Sequence, residues 1–380
     1  MAQLLTFIDE ILSIPSFERI AIIGAQHIME SIFLMFSNLR KNGLAPSNTF
    51  LLGKCYSTSK SVFEDFRREG FQVSSLSFNF DSHESYDVLY RSHIKQFLDE
   101  SLSKIDLSQI DKIIILDDGG YLIHEINQIK DLQIPIVSIE QTSSGIHYIS
   151  EIDLNIPVIN VARSKAKLEF ETPFIVEACL NRFFEYLPKS ELFHRNVLIL
   201  GCGAIGTEVS KILAGSCHID CYDPRFHGPE ILQNFLKSAD VIFGCSGSMA
   251  LKYSQYAFLK EGVILASLSS SDREFEAYHF RKQFPMTDDC KRNFCNQRIT
   301  LLQSGFPLNF WGSRNNMPLE KIQITLALLQ SAIYQAIETD SLSKGIAPID
   351  EESERMILYG FKNSVVENFN FDPEWSHVKL

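Results

Sequence analysis

Asn196-Val197-Leu198-Ile199-Leu200-Gly201-Cys202-Gly203-Ala204-Ile205-Gly206 is an apolar run that ends in Gly-x-Gly-x-x-Gly. A segment with helical spacing, 207–214, follows at once. Three glycines between a strand and a helix are what a dinucleotide site requires. Gly201 permits the tight turn, Gly203 lets the backbone approach a pyrophosphate, and Gly206 lets helix and strand pack closely. The helix N-terminus, at Ala204 and Ile205, offers unpaired N–H groups and a partial positive charge to phosphate. A second apolar run ends at Cys221-Tyr222-Asp223-Pro224, which puts Asp223 about 20 residues on. A carboxylate there accepts the ribose hydroxyls of NAD and repels the 2′-phosphate of NADP, although Arg225 stands two residues beyond it.

Working outward, both flanks alternate strand and helix signals. On the N-terminal side, strands are expected at 19–23, 49–52, 71–78, 112–116, 134–139 and 157–161, with helices at 28–39, 58–69, 83–102 and 173–186 between and after them. On the C-terminal side, 240–244, 262–267 and 298–303 read as strands and 317–338 as a long helix, with Asn315 and Asn316 as cap candidates. This alternation implies parallel sheets with helices on both faces, and ligands beyond the carboxyl ends of the strands. Gly24-Ala25-Gln26-His27, Asp117-Asp118-Gly119-Gly120 and Glu140-Gln141-Thr142-Ser143-Ser144-Gly145 all fall at such ends, and the strand at 240–244 leads into the small-residue loop Cys245-Ser246-Gly247.

The chain has 380 residues, 45% hydrophobic and 22% charged, enough for two cores of an ordinary globular protein. A net charge of −12 argues against nucleic acid and against anionic membrane surfaces as partners. No apolar run approaches the roughly 20 residues of a membrane span. Residues 1–17 read as an amphipathic helix and not as a signal peptide. Eight scattered cysteines, without a Cys-x-x-Cys pair, suggest reduced thiols in a cytoplasmic protein. Cys217/Cys221 and Cys290/Cys295 each have the spacing of half a zinc site but no second pair nearby, so no metal is expected.

Taken in order, segments 115–120, 140–147, 157–167, 201–206 and 262–274 resemble S-adenosylhomocysteine hydrolase, over roughly residues 20–312. The resemblance implies an α/β fold of two Rossmann-like domains with parallel sheets, the NAD-binding domain being inserted into the substrate domain. The corresponding boundaries are 1–188 for the first part of the substrate domain, 189–314 for the NAD-binding domain, and 315–380 for a return helix and the rest of the substrate domain. It further implies tightly held NAD used as a recycled oxidant, a nucleoside-type or other hydroxylated small molecule as substrate, and a homo-oligomer, dimer or tetramer.

Residue by residue, Lys167 matches the lysine beside the oxidised hydroxyl, and Glu171 an aspartate that works with it. Asp118 and His27 match an acid/base pair, and Thr142, Ser143, Ser144, Ser246 and Gly247 fall where the cofactor is held. The departures lie mostly at the substrate end. Gln141 replaces a glutamate that grips sugar hydroxyls, Ser270 a histidine near the reacting centre, Val176 a cysteine, and Thr172 an asparagine. Met29 and Ser31 replace polar residues that hold adenosine, a His-Pro loop is replaced by 311–316, and the tail 375–380 lacks the family's lysine and tyrosine. Two other readings of the same residues stand beside this one. One is an NAD-binding pseudoenzyme with a regulatory role, suggested by Gln141, Ser270 and the missing loop. The other is a D-2-hydroxyacid dehydrogenase using Arg273 and Glu274, for which His279 falls in helical context.

Overall fold

The computed structural model describes residue 9 and residues 12–130, 132–339 and 342–363. Strands and helices alternate first as β1 (Ile20–Ala25), α1 (Glu30–Lys41), β2 (Thr49–Leu52), α2 (Lys60–Arg68), β3 (Gln72–Val73), α3 (Tyr86–Lys104), β4 (Lys112–Asp117), α4 (Tyr121–Asn127), β5 (Ile136–Glu140), α5 (Ser143–Ile149) and β6 (Pro157–Asn160). The long helix α6 (Lys165–Tyr186) leads to β7 (Asn196–Leu200), α7 (Ala204–Leu213), β8 (His218–Tyr222), α8 (Pro229–Ser238), β9 (Val241–Gly244), β10 (Val263–Ser267), α9 (Ala277–Arg281), β11 (Phe294–Cys295) and β12 (Ile299–Leu301). Helix α10 (Leu319–Glu338) carries the chain back to β13 (Gly345–Pro348) and α11 (Glu351–Phe361).

The fold is α/β with two sheets. The first has the order β13-β6-β5-β4-β1-β2-β3 and is parallel throughout. The second, β11-β12-β10-β9-β7-β8, is parallel except for the short β11–β12 pair. Runs such as Ile113-Ile114-Ile115-Leu116 are apolar without alternation because both faces are covered. Ile114 and Leu116 pack with α10 residues on one face, while Ile113 and Ile115 pack with α3 and α4 residues on the other. Val197 and Ile199 likewise face one core of the second sheet, and Leu198 and Leu200 the other. Lys112, at the start of β4, reaches across to donate to the carbonyls of Ala336 and Ile337 at the end of α10, at 3.1 and 2.7 Å. There it satisfies helix-end acceptors and meets the negative end of the dipole.

Four expectations are corrected. The strand expected over 71–78 stops at Val73, and a 3-10 turn, Ser75–Phe78, replaces the rest. Ser74 caps that turn by accepting from the Leu76 N–H, and Ser77 donates to the Ser74 carbonyl at 2.6 Å, so the serines hold the backbone in place of a ladder. Helix α6 starts eight residues before Pro173, at Lys165, because Ser164 caps it through the Lys167 N–H, and Pro173 is carried in its interior. Neither Asn315 nor Asn316 caps α10; Pro318 stands at that position without a side-chain cap. Most of the helix read at 1–17 lies outside the described residues, and 12–17, interrupted by Pro15, are not helical. The tail 375–380 also lies outside them. No helix among the described residues is long and apolar enough to cross a membrane. Nor do the described residues include three or more His, Cys, Asp or Glu placed to share a metal ion.

Candidate active site

In each sheet the strand order reverses next to one strand, β1 in the first and β7 in the second, and ligands of such sheets bind at that reversal. Between the two carboxyl edges lies a cavity of about 870 Å³. The loop after β1 brings His27 to it, the end of β4 Asp118, the loop after β5 Gln141, Thr142, Ser143 and Ser144, and the first turns of α6 Lys167 and Glu171. From the second sheet come Gly203, Ala204 and Ile205 at the start of α7, Ser246 and Gly247 after β9, and Ser270 and Arg273 after β10. Of the residues given a catalytic, substrate-binding or cofactor-binding role in the sequence, all line this one cavity except Gly201, Gly206 and Asp223.

The glycine loop divides its work among the three positions. Gly201 has φ +105°, and a methyl there would press on the Ser246 backbone at 2.8 Å. A methyl on Gly206 would run into the Gly201 carbonyl oxygen, so this glycine serves helix–strand contact. A methyl on Gly203 would meet nothing within 4 Å, and neither would one on Gly247, which has φ +71°. These two open positions, at the start of α7 and after β9, form a cradle in which a phosphate can approach the N–H groups that open α7, so the residues fit a dinucleotide.

Asp223 lies at the end of β8, as the motif requires, but its carboxylate is occupied. Oδ1 accepts from the Arg225 N–H at 3.0 Å and from Arg225 Nε at 2.9 Å. Oδ2 accepts from Arg225 Nη2 at 2.6 Å and from the Cys202 N–H at 3.1 Å. The Arg225 guanidinium, then burial acting the other way, then the two N–H groups leave the Asp223 carboxyl far below the usual range. A ribose diol must displace Arg225 to reach it.

At the other wall, Lys167 Nζ lies 3.3 Å from Glu171 Oε2 and donates to the Gln141 carbonyl, and Glu171 Oε1 accepts from Thr325 Oγ1 of α10 at 3.0 Å. His27 stacks on Phe310 at 4.5 Å, with Nδ1 2.5 Å from Ser57 Oγ and Nε2 3.4 Å from Asp118 Oδ2. Asp118 also receives the Gln141 amide and the Lys54 ammonium. Burial pushes its carboxyl upward, but Lys54 and then His27 outweigh burial and hold it well below the carboxylate range. With Nε2 of Gln141 bound to Asp118, Oε1 is left buried without a partner at the cavity, where it can only accept.

Two groups here, Lys54 and Glu140, have no role in the sequence reading. Lys54 was missed, although a single charge at the end of the buried strand β2 is a signal that could have found it. Glu140, at the end of the apolar strand β5, accepts from the Thr142 N–H and Oγ1, both at 2.7 Å, and from the Gly119 N–H at 3.2 Å, so it ties the two loops together. Burial, and then the charge of Asp117, push its carboxyl well up. Glu274 turns away from Arg273 and accepts from Ser269, from Ser246 Oγ at 2.8 Å and from the Gly247 N–H at 2.7 Å. His279 of α9 stacks on Tyr253 and is not on the cavity wall. Arg273, Glu274 and His279 thus do not converge.

Burial pushes the Glu274 carboxyl up to about 7, against the pull of its donors. A carboxyl that binds its proton more tightly when folded contributes fully below its unfolded value near 4.5, and that contribution is lost as pH rises through about 7. Glu274→Gln cannot ionise. It is expected to match the parent near pH 4 and to exceed it by about 3 kcal/mol above pH 7 in urea denaturation.

No protein-family profile matches the chain. It is 35% identical over 329 residues to two curated proteins of Mycobacterium tuberculosis, the uncharacterized protein MT0113 of strain CDC 1551 / Oshkosh and the uncharacterized protein Rv0104 of strain ATCC 25618 / H37Rv. Each match covers 84% of this chain and 64% of the relative, so the chain spans less than two thirds of the length of these relatives. Among solved structures, a dipicolinate synthase polypeptide of Bacillus halodurans aligns at 12% identity and TM-score 0.44 over 85% of this chain and 100% of that one. Its counterpart in the dipicolinate synthase of Bacillus subtilis gives 12% and 0.42 over 84% and 97%. NAD+-bound 3-phosphoglycerate dehydrogenase of Entamoeba histolytica gives 15% and 0.34 over 69% and 77%.

Proposed function

We propose that the chain is an NAD-dependent enzyme that acts on a hydroxylated, nucleoside-type small molecule by oxidation-first chemistry, in the manner of adenosylhomocysteinase. One observation carries this reading: a single cavity has the open Gly203/Gly247 cradle on one wall and His27, Asp118, Lys167 and Glu171 on the other. Residues 1–188 and 315–380 then form the substrate side and 189–314 the cofactor side. NAD held in the cradle would accept a hydride from the substrate carbon. Lys167, fixed between Glu171 and the Gln141 carbonyl, passes its proton to Glu171 and then, as the neutral amine, takes the proton of the hydroxyl being oxidised. The free acceptor on Gln141 orients a neighbouring hydroxyl. His27 handles the proton on the opposite side of the cavity.

The test is calorimetric binding of NAD and NADP to the purified protein, with mass spectrometry of the small molecules it releases and a watch for NADH absorbance on adding nucleosides. Arg225→Ala frees the Asp223 lone pairs and is expected to bind NAD as tightly as the parent or several-fold more tightly. Asp223→Ala is expected to lose about tenfold, roughly 1.4 kcal/mol. If neither dinucleotide binds the parent at millimolar concentration, the reading is wrong.

A further inference from the structure

Behind His27 sits a cation for which the chemistry above has no use. Lys54 follows β2, is 5% exposed, and places its ammonium on one oxygen of Asp118. The second oxygen takes the Gln141 amide and faces His27 Nε2 at 3.4 Å. On the other edge of the ring, Nδ1 meets Ser57 Oγ at 2.5 Å. Ser57 belongs to the same turn as Lys54: its N–H donates to the Lys54 carbonyl at 3.0 Å, and Thr58 Oγ1 donates to that carbonyl at 2.8 Å. One tight turn therefore holds both ends of the imidazole–carboxylate couple, one through Asp118 and the other through the ring itself. Phe310 lies flat against the ring at 4.5 Å and Tyr56 meets it edge-on at 6.3 Å, which limits its rotation.

The ionisable groups around this couple come from every element packed on it. They are Lys54 and Tyr56 from the turn after β2, Tyr90 from α3, Asp117 beside Asp118, Glu140 from the end of β5, and Arg273 from the second sheet. Lys54 is the cation in contact with Asp118. A buried ammonium and carboxylate stay charged only as a well-placed pair, so neither has a second arrangement of comparable cost.

We propose that Lys54 is a positioning residue: by pinning Asp118 it fixes the tautomer of His27, with the proton on Nε2 and the accepting lone pair on Nδ1. The inference rests on the catalytic reading of this cavity. The oxygen of Asp118 left over by Lys54 accepts the Nε2–H, and the Ser57 hydroxyl donates to Nδ1. Asp118 orients the ring and remains an anion throughout.

Nitrogen-15 NMR of the imidazole in the dinucleotide-free protein tests this, with His27→Gln used to assign the signal. The parent is expected to show the Nε2–H form alone when the ring is neutral. Lys54→Met is expected to show both tautomers, and Lys54→Arg to restore the single form. An Nδ1–H form in the parent, or an unchanged spectrum in Lys54→Met, overturns the proposal. The parent measurement needs no substitution and so decides the matter even if the methionine variant does not fold. A lysine needed only for stability would lower the unfolding midpoint and leave the tautomer unchanged. Because no dinucleotide is present, failure of NAD to bind would refute the function proposed above and leave this result standing.

Discussion

A Gly203→Ala variant is expected to fold as firmly as the parent and to bind NAD about a hundredfold more weakly, a loss of roughly 2.8 kcal/mol. The added methyl meets no chain atom within 4 Å, and the residue has φ −80°, which alanine adopts without strain. The methyl therefore costs the fold nothing, but it stands in the space through which a pyrophosphate must come to reach the N–H groups opening α7. Gly206→Ala is expected to behave in the opposite way. Its methyl collides with the Gly201 carbonyl and sits 3.1 Å from Ile199 Cγ2, so strand and helix must part. Overpacking of this kind costs about 3 kcal/mol, and binding is lost with it. Calorimetry with NAD beside urea denaturation separates the two outcomes. Undiminished binding by Gly203→Ala would mean that this loop is not where a dinucleotide sits.

Arg281→Met is expected to lose about 3–5 kcal/mol of stability, read from the midpoint of urea unfolding. Arg281 is fully buried and pairs with Asp272 at 2.7 Å. It donates to the Ser82 carbonyl at 2.9 Å, the Ser304 carbonyl at 2.6 Å and the Glu84 carbonyl at 2.9 Å, and lies over the Phe80 ring. Methionine fills most of the volume but leaves a buried carboxylate and three carbonyls without their donor. Removing the carboxylate as well, in Arg281→Met/Asp272→Leu, should recover part of the loss, because an unpaired buried charge costs more than the pair contributes. If the single variant unfolds with the parent, water has taken over the donor role. Residues 82–84 precede α3 of the first sheet and Ser304 follows β12 of the second, so the same substitution also loosens the join between the sheets.

The sheets were readable in the sequence because a strand covered on both faces leaves an unbroken apolar run, as at 112–116 and 196–200. The cofactor loop was readable because Gly201, Gly203 and Gly206 answer local steric demands at fixed spacing. His27, Asp118, Lys167 and Glu171 came from resemblance, and they line one cavity. Lys54 carried a local signal, a lone charge at the end of β2, but its pairing was not legible, since Asp118 lies 64 residues away and no local pattern marks a pair of that separation. The same holds for Arg281 and the carbonyl of Ser82, 199 residues apart. The strand expected over 71–78 failed for a local reason: alternation can be satisfied equally by serines that bond their own backbone. The occupation of Asp223 by Arg225 depends on side-chain geometry that spacing does not encode.

The first sheet is not complete until the end of a long detour. β6 pairs on one side with β5 and on the other with β13, whose residues 345–348 follow the whole of the second sheet. On a ribosome adding 5–20 residues each second, the outer edge of β6 waits on the order of ten seconds or more for its neighbour. Throughout that interval its free N–H and C=O groups can template other chains, so slow synthesis or crowding of nascent chains favours aggregation at this edge. Yield in a cell would then respond more to chaperone supply and to the pace of translation than to the stability of the finished fold.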